Sequence, residues 1–124
     1  MPFSSNTCIT TLGKAIHNGR LIANTYPLPQ FIQIGVGATG AARTAAHTDT
    51  ALSTAVESRA TATCTLQTTD VTNDTYRAVA TITATATRAV DEAGIFDLAS
   101  GGNLTHSATF AAVNLNNADS IQLT

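Results

Sequence analysis

The chain has 124 residues, of which 44% are hydrophobic, 5% aromatic and 11% charged, with no Trp and a formal net charge of −2; this fits one compact domain with a core of small side chains and leaves no room for two. An average soluble domain carries about 25% charged residues, so Thr, Ser, Asn and Ala must cover much of this surface, a composition suited to an exterior that partners cover. The basic residues Lys14, Arg20, Arg43, Arg59, Arg77 and Arg88 are scattered rather than striped, which disfavours direct nucleic-acid binding, and the lack of a long apolar run or a basic-then-apolar opening leads us to expect a cytoplasmic product outside the membrane.

In chain order, residues 1–6 read as an N-terminal arm with Phe3 as an apolar anchor, and residues 7–124 as a single β-rich domain. Thr7 is placed to cap a short helix in which Ile9, Leu12 and Ile16 fall at i, i+3 and i+7. Gly13 weakens that helix, and Asn18-Gly19 is its expected stop. A short strand is expected over residues 20–25, ended by Tyr26-Pro-Leu-Pro29, whose prolines restrict the backbone. Phe31-Ile-Gln-Ile-Gly-Val36 reads as a strand with Ile32, Ile34 and Val36 on one face, and the glycines at 35, 37 and 40 open a loop through residue 46. Residues 49–58 fit a short helix capped by Asp49, with Leu52, Ala55 and Val56 sharing a face.

Beyond this point the period changes to two. Ala60, Ala62, Cys64 and Leu66 alternate with threonines, and Tyr76, Ala78, Ala80, Ile82, Ala84 and Ala86 alternate with Arg77, Val79, Thr81, Thr83, Thr85 and Thr87. Alanine and threonine differ in strand propensity, and the strict alternation decides for strands, since a helix would scatter the threonines round its circumference. Residues 70–75 read as a polar turn. Residues 90–98 lead into the hairpin signal Ala99-Ser-Gly-Gly-Asn103, and a returning strand carries Leu104, His106, Ala108 and Phe110. A turn over residues 114–119 and a last strand with Ile121 and Leu123 follow. Short strands joined by Gly, Asn and Asp turns predict a mainly β fold: an antiparallel β-sandwich or partly closed barrel, with one or two short helices in the N-terminal half.

The chemistry-bearing residues form no catalytic constellation. His17, His47 and His106 lack metal-ligand spacing, and Cys8 and Cys64 read as two buried free thiols. Gly35-Val-Gly37-Ala-Thr-Gly40 matches a dinucleotide-binding spacing on paper, but no helix opens at Gly40 and no parallel βαβ units follow. Asp91 and Glu92 are adjacent, so in a strand they point to opposite faces unless the backbone bends. Asp70 and Asp74 share a polar loop without the EF-hand pattern, and the sequons at Asn73 and Asn103 lack a secretory context. The expectation is a non-enzymatic protein without cofactor or metal. Glu92, Gly94 and Phe96 read as structural residues, with Arg59 a candidate partner for the Glu92 carboxylate.

Taken together, Leu12-Gly13, Ile34-Gly-Val-Gly37, Asp49-Thr-Ala-Leu52 with Glu57 and Arg59, Glu92-Ala-Gly-Ile-Phe-Asp97, Ser100-Gly-Gly102 and Phe110-Ala-Ala-Val-Asn114 occur in an order and spacing that resembles a group of small virion proteins of tailed bacteriophages. The resemblance runs from about residue 10 to the C-terminus. It includes head decoration, or cement, proteins and the collar-like module at the N-terminus of tail fibres. It implies a capsid decoration protein in the virion, a homo-oligomer with a trimer favoured, bound to the outside of the major capsid protein lattice. A small tail-fibre or baseplate adaptor is the alternative. No fibre shaft follows the motifs in this sequence, which favours the decoration subunit.

Overall fold

In a computed structural model, in which residues 7–22, 27–38 and 44–124 are described, the chain forms two antiparallel sheets and one short helix. The elements are β1 (Thr7–Ile9), α1 (Thr11–Ile22), β2 (Phe31–Val36), β3 (Ala55–Thr61), β4 (Thr63–Gln67), β5 (Thr75–Thr83), β6 (Arg88–Phe96), β7 (Leu104–Leu115) and β8 (Ser120–Leu123). A five-stranded sheet has the order β1-β7-β6-β2-β3, and a three-stranded sheet the order β4-β5-β8. The sheets face one another without closing into a barrel, so of the two architectures expected the open one is realised.

Their facing sides make the main core. Ile32, Ile34, Val56, Val90, Ala93 and Ile95 of the larger sheet pack on Ala78, Ala80, Ile82, Ile121 and Leu123 of the smaller. These residues alternate along their strands, as a half-buried pleat requires, except between Val90 and Ala93, where the register of β6 shifts. A second, smaller core of Leu52, Phe96 and Leu104, with Phe31 against it, lies on the other side of the larger sheet. That outer side is covered by α1 and by residues 44–54.

The helix begins later than its pattern suggests. Thr7 pairs with Ala108 in β1, and Thr10 is the cap: its Oγ1 accepts the Gly13 N–H at 3.0 Å and donates to the Leu104 carbonyl at 2.6 Å. Gly13 is buried against β7, where an added Cβ would collide with the Thr105 carbonyl group, 2.9 Å from its carbon. This glycine therefore costs helix propensity and gains close packing. Asn18-Gly19 does not stop the helix, which continues to Ile22 and so displaces the start of the strand expected over residues 20–25; residues 23–26 lie outside the described residues.

The helix expected over residues 49–58 is absent. Residues 44–54 run as turns and bends, and Ala55 already opens β3. The residues that look like one helical stripe serve opposite sides of the larger sheet: Leu52 joins the outer core and Val56 the inner one. The alternating run through Ala62 is also not one strand. At Ala62 the chain changes sheets, and the Ala62 N–H donates to the Gln30 carbonyl at 2.7 Å. The hairpin between β6 and β7 and the turn before β8 fall where the Gly and Asn clusters place them.

Candidate functional site

Glu92, Gly94 and Phe96 project from β6 toward the outer side of the larger sheet, and none is open to solvent. Glu92 is 0% exposed, and its Oε1 accepts the Thr54 N–H at 3.1 Å. It stands opposite Gly35 in the ladder, where a Cβ would run into the carboxylate, 2.9 Å from its Cδ. Its neighbour Asp91 is also buried and accepts the Ala38 N–H at 3.0 Å. The β6–β7 ladder shifts register between Val90 and Glu92, and this irregularity supplies the bend that lets both adjacent carboxylates lie inside. Gly94 leaves room for Leu104, whose Cδ1 lies 2.5 Å from where a Cβ would stand.

Arg59 is not directed at Glu92 but at the far end of β6. Its guanidinium lies 3.5 Å from the centroid of the Phe96 ring. It donates to the carbonyls of Leu98 at 2.8 Å and Gly101 at 2.5 Å, and through Nε to Gln33 at 3.2 Å. Burial lowers its pKa, and the nearby Asp97 charge opposes that shift. Asp97 closes the same hairpin by accepting the Asn103 N–H at 2.6 Å and the Asn103 side-chain amide at 2.9 Å. Gly101 and Gly102 turn the chain there with φ of 63° and 67°. Phe3 belongs to the arm of residues 1–6, which lies outside the described residues.

These acids are loop clamps. The same device recurs at Asp74, whose carboxylate accepts the N–H groups of Thr69, Asp70 and Val71 at 2.8–3.0 Å. Those bonds hold its pKa well below the usual carboxylate range. Asp70 and Asp74 thus shape the turn between β4 and β5. Glu57 sits at a left-handed backbone position, φ 61°, and accepts from the Thr85 hydroxyl at 2.7 Å and from Arg88 at 3.1 Å. The Thr85 hydroxyl, with the Thr85 amide and Arg88, lowers its pKa. Among the described residues, no group of three or more His, Cys, Asp or Glu is arranged to hold a metal ion.

The feature that sequence reading missed is a cleft between the sheets. It has a volume of about 400 Å³ and is walled by Tyr76 and Ala78 of β5, Ala93–Ile95 of β6, and His106 and Ala108 of β7. Small side chains on both walls create it. Tyr76 shares its face of β5 with the core residues Ala78, Ala80 and Ile82, and stands opposite Leu66 of β4. The hairpin of β4 and β5 runs past the cover of the larger sheet, so Leu66 and Tyr76 remain 59% and 42% exposed. The Tyr76 hydroxyl donates to the Pro29 carbonyl at 2.5 Å and lies 2.9 Å from Cys64 Sγ; burial and the Cys64 contact raise its pKa. Burial lowers the pKa of His106. Both shifts favour the neutral form, and the cleft suits apolar side chains. Cys8 and Cys64 are free thiols, but Cys64 is exposed and Cys8 only half-buried, against the expectation that both would be buried. The alternation of small residues signalled close packing; the staggered strand ends that open the cleft have no signature in the sequence. Compared with protein-family models, with curated proteins and with solved structures, the chain finds no match in any of the three.

Proposed function

We propose that this chain is a structural virion protein of a tailed bacteriophage, a capsid decoration subunit that binds the outer surface of the major capsid protein lattice as a trimer and stabilises the head. The ordered motifs in the sequence support this reading, and one structural observation carries it. The outward face of the three-stranded sheet is lined by Thr, Ser and Gln side chains such as Thr63, Thr65, Thr81, Thr83 and Gln122, with Arg77 its one charge. A broad β face with so little charge loses little hydration when a protein covers it. The resembling motifs Glu92–Asp97 and Ser100–Gly102 are occupied in holding β6 and its hairpin, so on this reading they are framework and the sheet surface makes the contacts. Many copies on one lattice add modest individual contacts through avidity where one trimer engages several sites.

The test is to mix the purified protein with undecorated capsids and count bound copies by sedimentation. Saturation at hundreds of copies per particle is the expected result, with native mass spectrometry giving a trimer. Labelling that finds the protein only at the tail, in a dozen copies or fewer, overturns the decoration role and makes the chain a fibre or baseplate adaptor. Deleting residues 1–6 is expected to weaken attachment while leaving the β-domain folded, as read by circular dichroism.

A further inference from the structure

We infer that the open edge of β5, over residues 75–78, together with the cleft beneath it, is an acceptor site for one extended strand of a partner polypeptide. The three-stranded sheet is staggered. β4 pairs with the first half of β5, from Thr63 opposite Val79 to Gln67 opposite Thr75; β8 pairs with the second half, from Leu123 opposite Ala80 to Ser120 opposite Thr83. The β5–β8 register carries on to set Thr124 opposite Val79. Among the described residues, none pairs with residues 75–78 on that edge. Alternate residues of this stretch present backbone N–H and C=O groups with no strand to receive them.

The edge lies directly over the cleft, whose lining takes in Thr75, Tyr76, Arg77, Ala78 and Thr124. A strand added here continues an existing pairing, antiparallel to β5 and in line with β8, so its side-chain directions follow from the register. Its residues opposite Ala78 and Tyr76 point into the cleft, between β5 and the small residues Ala93, Gly94 and Ala108. Its residue opposite Arg77 points outward with Arg77. The occupant is therefore a strand of pattern aliphatic–acidic–aliphatic: two branched aliphatic side chains enter an apolar space of about 400 Å³, and one carboxylate lies beside the exposed guanidinium. Main-chain bonds supply the attachment and the alternate side chains the selection, as in other strand-addition sites. This site does not depend on where in a particle the protein sits.

The probe is an end-blocked peptide, Val-Glu-Val-Thr, titrated up to 10 mM into the full chain and followed by amide chemical shifts and hydrogen exchange. The expected result is saturable shifts and slowed exchange within residues 75–78, with further shifts at Ala93–Ile95 and His106–Ala108. Val-Lys-Val-Thr should bind roughly two- to five-fold more weakly, and the exposed variant Arg77→Glu should reverse that order, the size expected of a cross-strand charge pair. No shift at any of these residues up to 10 mM overturns the inference. So does a second outcome: the same four residues joined directly to Thr124 protect residues 75–78 while the free peptide does not, because the edge is then completed within one chain rather than by a partner.

Discussion

β6 and β4 show how little burial follows composition in this protein. β6 contains Asp91 and Glu92 and buries every residue from Val90 to Phe96; β4 carries no charge and exposes all five of its residues. Position in the sheet decides. β6 has a strand on each side, the smaller sheet over one face, and α1 with residues 44–54 over the other, and its acids are stabilised because the covering loops bring N–H groups to them. β4 has one partner strand, and little reaches its apolar face. One region is a scaffold specified on all sides, while the other is a platform whose outward surface has few obligations within the chain.

The sharpest way to break this contrast is to remove a large side chain from the scaffold. Phe96→Ala should lower stability by about 3–5 kcal/mol, measured by urea unfolding; an unchanged midpoint would mean that the outer core does not contribute. Gly13→Ala tests the covering helix. Helix propensity alone predicts a gain of about 1 kcal/mol, whereas the contact with the Thr105 carbonyl predicts a net loss of about 1–2 kcal/mol from overpacking. The sign of the change in melting temperature decides between them.

A smaller effect should come from Glu57, which ties β3 to residues 85–88. Its pKa is lowered on folding from an ordinary 4.5, so the folded state favours the carboxylate. That contribution is complete above pH 4.5 and is lost as pH falls through the folded value. Glu57→Gln should therefore flatten the acid limb of a stability–pH curve and change its slope little near neutrality. Least of all, Leu66→Ala on the platform should shift stability by no more than about 0.5 kcal/mol. A loss several times larger, seen in the isolated protein, would show that the hairpin face is covered after all, and an oligomer would be the first place to look.

Much of the scaffold was legible. The alternation in Phe31–Val36 and through Thr75–Thr83, and the Ser-Gly-Gly and Asn-rich turns, mark strands and hairpins because period and turn chemistry act locally. Sequence pattern and structure part where one local pattern serves two distant demands. Leu52, Ala55 and Val56 imitate a helical face, yet Leu52 and Val56 bury on opposite sides of one sheet. Gly13 reads as a weak point in a helix until Thr105, some ninety residues on, is packed against it. Asp91 and Glu92 read as opposed strand residues, and only the register shift, a property of β7 as much as of β6, brings both inside. The candidate cleft was least legible of all, since it depends on where β4 and β8 stop along β5.

The change of sheet at Ala62 also bears on how the molecule carries load. β3 and β4 are one run of backbone, so a pull on the β4–β5 hairpin reaches the larger sheet along covalent bonds as well as through packed side chains. At the corner the Ala62–Gln30 hydrogen bond anchors that run to the segment leading into β2. Tension arriving through β4 is then resisted by the β2–β3 ladder in shear, where its hydrogen bonds share the force, and the platform can be tugged outward without first being peeled from the scaffold.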